Sequence, residues 1–199
     1  MPTKIRDWDK YYKENEIHSM PWYHEELDHD VDNALRRFGI KEGVALDLGT
    51  GPGTQAMALS NLGFQVTGSD LSYSAIEKAK LLAESEGREI NFVQDDILDS
   101  KLKGPYDFVI DRGCFHVLDE SKRDFYMEHL KNIIKPQGYL LLKCFSHLQP
   151  GDDGPHRLSP EQISDITNPY FEVESIEETY FHGTMENLPK ALFCVLKNI

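Results

Sequence analysis

The sequence predicts an α/β fold: a mostly parallel sheet with helices on both faces and antiparallel strands at one end. Three observations predict it. From residue 43 onward, strand-like and helix-like runs alternate. The first of these strands leads into a turn carrying Gly49, Gly51 and Gly53. The last two strand-like runs follow one another with no helix between them.

The elements follow in chain order. The first stretch is aromatic and charged, with Trp8, Tyr11, Tyr12, Trp22 and Tyr23 among Asp, Glu and Lys. Leu27, Val31, Ala34, Leu35 and Phe38 then recur at helical spacing, and Gly39 stops that helix. Residues 1–40 thus read as an N-terminal arm and helix forming a lid over the domain of residues 41–199. Strands are expected at 44–48, 64–68, 90–93, 108–110 and 139–144, and a terminal hairpin at 171–179 and 191–196 around Gly183 and Pro189. Between them, Ser74-Ala75-Ile76-Glu77 has the form of a capping box. Tyr126, Leu130, Ile133 and Ile134 make a helical stripe, and Ser159-Pro160-Glu161-Gln162 starts another helix. Asn168-Pro169-Tyr170-Phe171 reads as a turn, far from the glycines.

Composition narrows the partners. At 199 residues and 40% hydrophobic content, the chain can build one sizeable core. Its formal net charge of −13 repels phosphate backbones, and no basic run exceeds Leu35-Arg36-Arg37. The expected partner is a small molecule, not nucleic acid or a membrane. No apolar run approaches the roughly 20 residues of a membrane span, and the start lacks a secretory stretch. Of the three cysteines, Cys144 and Cys194 lie in strand-like runs as reduced hydrophobes, so a cytoplasmic location is expected. The eight histidines are scattered singly, so no metal is expected. The oligomeric state is left open.

The decisive segment is Ala45-Leu46-Asp47-Leu48-Gly49-Thr50-Gly51-Pro52-Gly53-Thr54. Glycines let a backbone turn with positive φ and approach a ligand closely, at the strand end where open α/β sheets bind nucleotides. The third glycine falls one position early for the dinucleotide fingerprint. Asp47 would repel a pyrophosphate but can hold a cationic amino group, which points to an amino-acid-bearing nucleoside. Asp70 closes the second strand, where a carboxylate can accept both hydrogen bonds of a ribose diol. After the third strand, Asp96 (preferred over Asp95) can accept from an exocyclic amine while Ile97 packs on the ring. After the fourth comes Asp111-Arg112-Gly113-Cys114-Phe115-His116. There Arg112 can hold an anionic or polarised acceptor, and His116 is either a base or a packed, capping residue. Asp111, as catalytic or cofactor-binding residue, and Leu71 complete the candidates.

These residues resemble the class I S-adenosylmethionine-dependent methyltransferases over about the whole chain. Residues 47–53 look like the class's first motif, Asp70 its ribose-binding acid and Asp96-Ile97 its adenine contact. Asp111-Arg112-Gly113, the segment Trp8-Asp9-Lys10-Tyr11-Tyr12 and the loop of residues 144–160 are similar to the thiopurine S-methyltransferase and tellurite-resistance methyltransferase group. The resemblance implies a Rossmann-like seven-stranded sheet in the order 3-2-1-4-5-7-6 with the last strand antiparallel. It also implies S-adenosylmethionine as cofactor, S-adenosylhomocysteine as product, Trp8 against the cofactor, and Tyr12 and Arg112 bordering the acceptor. Acceptors expected by in-line displacement are thiols, chalcogen or arsenic oxyanions, and small amines or hydroxyls. Two alternatives stand beside this: a nicotinamide-dependent oxidoreductase, and a non-catalytic S-adenosylmethionine-binding protein.

Overall fold

A computed structural model describes residues 7–151 and 154–199. Seven strands form one sheet: β1 (Val44–Leu48), β2 (Gln65–Asp70), β3 (Asn91–Gln94), β4 (Tyr106–Arg112), β5 (Ile134–Phe145), β6 (Glu172–Tyr180) and β7 (Lys190–Lys197). Their spatial order is β3-β2-β1-β4-β5-β7-β6, with β7 antiparallel to both of its neighbours, the order that the family resemblance implies. The helices are α1 (Trp8–Glu14), α2 (His29–Arg37), α3 (Thr54–Asn61), α4 (Tyr73–Ser85), α5 (Glu120–Ile133) and α6 (Pro160–Thr167). None is long and apolar enough to cross a membrane among the described residues.

Alternation along the central strands builds two cores. Ala45, Phe108 and Ile110 join Val31, Leu35, Leu59 and Ile76 on one face. Leu46, Val109, Leu140 and Leu142 join Tyr126, Leu130 and Ile163 on the other. Side chains of neighbouring strand residues point to opposite faces, so a parallel strand covered on both sides reads as an unbroken apolar run. That is why β1, β4 and β5 were legible.

Boundaries shift where local chemistry differs from pattern. The helix expected from a capping box at Ser74 starts earlier. Ser72 is the N-cap, its side chain accepting from the Ala75 amide. The fifth strand begins at Ile134, not at 139, with an irregularity in its pairing to β4. The second strand runs through Asp70, and the third spans Asn91–Gln94. At α6 the expected box forms in full: the Ser159 hydroxyl accepts from the Gln162 amide, and the Gln162 side chain accepts from the Ser159 amide. Gly39, at φ 69°, follows the end of α2.

Candidate functional site

All the strand ends that matter lie at the carboxyl edge of β1, β2 and β4. After Leu48 the chain turns through Gly49, Gly51 and Gly53 at φ 69°, 53° and 84°, a conformation that side chains rarely adopt. The turn is held from both sides. The Thr50 amide donates to the Ser69 carbonyl at 2.8 Å, and the Thr50 hydroxyl donates to Asp47 Oδ2 at 2.6 Å. The same oxygen accepts from the Ala56 amide, tying the turn to the first residues of α3. Asp70 Oδ2 accepts from the Gly51 amide at 2.9 Å, and its Oδ1 from the Ser72 amide at 2.8 Å.

Asp47 and Asp70 are buried, and neither has a cation at ion-pair distance among the described residues. Burial pushes each carboxyl up to about 6, against the hydrogen bonds that lower it. A carboxylate offers about four lone-pair sites, so both keep acceptor capacity beyond these bonds. A glycine cradle flanked by two under-compensated carboxylates suits a ligand that brings hydroxyls and a positive charge.

The next strand end is more open. Asp96 is exposed and caps a short turn through Leu98, while Ile97 is half-buried beside it. Asp95 instead spends Oδ1 on the Lys101 amide. Leu71 is 53% exposed, just past the end of β2.

The arm packs onto this edge. Asp9 accepts from the Ser72 hydroxyl and the Ser74 amide at the start of α4, and Lys78 donates to the Asn15 carbonyl. Trp8, Tyr11, Tyr12 and Trp22 pack with ring centroids 5.3–6.3 Å apart. Tyr12 is buried against the glycine turn: a methyl group at Gly51 would come within 2.7 Å of its hydroxyl. The structure thus gathers Trp8, Tyr12, Asp47, the glycines and Asp70 at one place.

The fourth strand end differs from the sequence expectation. Asp111 accepts from the Gly113 and Cys114 amides through Oδ1, and from the Phe115 amide and the Tyr126 hydroxyl through Oδ2. Its acceptor sites are consumed in shaping the loop, leaving none for a proton or a cofactor. His116 is likewise a packed residue. Its Nδ1 accepts from the Phe145 amide at 3.0 Å, and burial drops its pKa to about 3, which removes it as a base near neutrality. Burial also raises the Cys114 thiol well above its ordinary value.

Arg112, expected to hold an acceptor, has each of its three guanidinium nitrogens engaged within the protein. It donates to Asp28 Oδ2 at 2.8 Å, to the Trp22 carbonyl at 3.0 Å and to the His182 carbonyl. Beside it Lys143, 1% exposed, donates to both oxygens of Asp28 and to Asp30. Burial alone would raise Asp28, but Lys143 and Arg112 outweigh it and hold the carboxyl at about 2. Sequence reasoning missed Asp28 and Lys143. A signal existed for the second, a lysine inside the apolar run Leu140-Leu141-Leu142-Lys143-Cys144, since lysine is almost never fully buried unless paired.

A methyltransferase-domain family model matches residues 45–138. A curated methyltransferase of Schizosaccharomyces pombe, itself uncharacterized, is 37% identical over 115 residues, covering 57% of this chain and 79% of the relative. The chain belongs to the methyltransferase-domain family. The methyltransferase is also 28% identical over 142 residues to the 2-heptyl-1-hydroxyquinolin-4(1H)-one methyltransferase of Mycobacteroides abscessus, covering 69% of this chain and 63% of that one. Among solved structures it resembles one described for the conversion of a disulfide bond into a thioacetal group during echinomycin biosynthesis. The TM-score is 0.82 at 25% identity, with 96% and 91% of the two chains covered. S-adenosylmethionine is the methyl donor of this family. The oxidoreductase and non-catalytic alternatives are set aside in favour of a methyltransferase.

Proposed function

We propose that the methyltransferase methylates a small, uncharged or thiol-bearing acceptor in the space beyond the ends of β4 and β5, beneath the N-terminal arm. S-adenosylmethionine, when bound, supplies an electrophilic methyl on a sulfonium. In this reading the backbone of Gly49, Thr50, Gly51 and Gly53 receives its amino-acid part and Asp47 its cationic amine. Asp70 accepts from the ribose, while Asp96, Ile97 and Leu71 border the base. Trp8 and Tyr12 close over it, so that residues 7–40 of the arm act as the lid of a catalytic domain at 41–199, residues 1–6 lying outside the described residues. The arm, together with Asp111-Arg112-Gly113, supports kinship with the thiopurine and tellurite-resistance group.

One observation carries the acceptor reading. The cations at the ends of β4 and β5, Arg112 and Lys143, are consumed by Asp28, Asp30 and two carbonyls. An oxyanion would therefore find both cations already paired with the Asp28 and Asp30 carboxylates, and three buried carboxyls, Asp47, Asp70 and Asp111, nearby. The wall beside them is aromatic: Phe145 and Phe181 lie 4.7 and 5.6 Å from the His116 ring. With His116 neutral and hydrogen-bonded, an acceptor that is nucleophilic without a protein base is favoured. A thiol enters uncharged and ionises near pH ~8.5 in water, so it avoids the permanent charge of an oxyanion and yields its proton more readily than a hydroxyl. Alignment of donor and acceptor then supplies much of the rate. This favours the thiols among the expected acceptors over the chalcogen and arsenic oxyanions.

Incubation with labelled donor and a panel of thiophenol, catechol, aniline and tellurite tests this. Thiophenol is expected to show the highest kcat/KM. Preferential methylation of tellurite, or of the amine, would overturn the acceptor assignment.

A further inference from the structure

The buried charge cluster lies at the junction of two chain segments that are far apart in sequence. On one side is the arm at Met20, Pro21 and Trp22; on the other is the β6–β7 loop at His182, Gly183 and Thr184. The segments are zipped together by main chain. The Thr184 amide donates to the Pro21 carbonyl at 3.1 Å, and the Thr184 hydroxyl donates to the Met20 carbonyl at 3.2 Å. Gly183 packs so closely on the Pro21 carbonyl that a methyl group there would collide with backbone. The fork of Arg112 spans the same junction, taking the Trp22 carbonyl with one nitrogen and the His182 carbonyl with another.

The third donor of that fork explains how it keeps this position. Nε of Arg112 is anchored on Asp28, a fully buried carboxylate. Asp28 is itself fixed from three further directions. Its Oδ1 accepts from the Asp30 amide at the start of α2, Lys143 holds both oxygens, and its own amide donates to Gln55 Oε1 on α3 at 2.8 Å. Gln55 in turn donates to the Glu26 carbonyl. A guanidinium presents its donors in a rigid plane, so fixing one edge aims the others. Asp30 extends the network to β6 by accepting from the Thr179 hydroxyl at 2.7 Å.

We infer that Arg112, aimed by Asp28, is a positioning residue: it fixes the spacing between the arm and the β6–β7 loop, and thereby the width of the acceptor opening. The inference rests on the acceptor side proposed above. Arg112 acts through the two loops and not on the reacting atoms. Its guanidinium serves as a latch between parts of the chain 90 and 70 residues away from it in sequence.

The test compares the full-length wild type with R112K and G183A. R112K preserves a cation beside Asp28 but cannot bridge both carbonyls, and G183A pries the zipper without touching a charge. Amide hydrogen exchange at Thr184, whose amide bond to Pro21 crosses the junction, is expected to accelerate in both variants by about tenfold or more. With thiophenol as acceptor, KM is expected to rise by about tenfold, corresponding to one or two lost hydrogen bonds. kcat is expected to stay within about threefold, since Arg112 does not touch the reacting atoms. Unchanged Thr184 exchange in R112K would overturn the latch. A fall in kcat with KM unchanged would also overturn it, by placing Arg112 on the reacting atoms. If the wild type leaves thiophenol unmethylated, the acceptor reading fails while the exchange measurement still decides the latch.

Discussion

Lowering the pH from 7 to 5 is expected to weaken S-adenosylhomocysteine binding by about tenfold for each carboxyl that must ionise, about a hundredfold for Asp47 and Asp70 together. Both groups sit at about 6 without ligand, because burial disfavours their charge and no cation lies at ion-pair distance from either among the described residues. A ligand bringing an ammonium and a ribose diol favours the ionised forms. Binding below pH 6 must therefore expel protons, and affinity falls as pH drops through that value. The apo protein responds with the opposite sign. Carboxyls raised above their unfolded value of 3.8 lend stability that is fully present below 3.8 and is lost as pH rises through about 6. Asp28, held at about 2, behaves in the reverse way, its contribution persisting above 3.8 and vanishing as pH falls through about 2. The thermal shift produced by saturating S-adenosylhomocysteine should thus be largest near pH 7 and shrink steadily toward pH 5. Calorimetry in buffers of different ionisation enthalpy checks the proton release. Affinity independent of pH across this range would remove both carboxylates from the binding site.

The second large effect concerns Asp111. Replacing it with alanine strands three backbone amides and the Tyr126 hydroxyl inside the protein. Each orphaned buried group costs about 1–3 kcal/mol, so D111A is expected to lose about 4 kcal/mol or more. That is a large part of the 5–15 kcal/mol typical of a domain. Y126F removes one donor and should cost only about 1 kcal/mol. Thermal melts of the two variants check the contrast. If Asp111 served chemistry instead of loop geometry, D111A would melt close to wild type and lose only turnover.

The contrast between Asp70 and Asp111 marks the limit of what sequence could say. Both close a strand and both precede a turn, so pattern treats them alike. In space Asp70 gives each oxygen one backbone partner and keeps capacity for a ligand, whereas Asp111 is saturated. The mostly parallel sheet with antiparallel strands at one end was legible because strand and helix patterns are local and their alternation restricts topology, whereas the strand order came from the family resemblance. The glycine cradle was legible because positive φ calls for that residue. Arg112 was visible as a charge at a strand end, but its partner Asp28 lies 84 residues earlier, beyond any local pattern. The start of α4 was misplaced for a related reason. Ser74 satisfies the box motif, yet its amide is taken by Asp9, 65 residues away, while the Asp70 carboxylate turns the chain at Ser72 and makes that residue the cap.

A crystal structure of the complex with S-adenosylhomocysteine tests the central claim most directly. The account expects the homocysteine part against the backbone of residues 49–53, its amine on Asp47, the ribose hydroxyls on Asp70 and the adenine beside Asp96 and Ile97. A nucleoside bound elsewhere, or one that leaves Asp47 and Asp70 without contact, would contradict it.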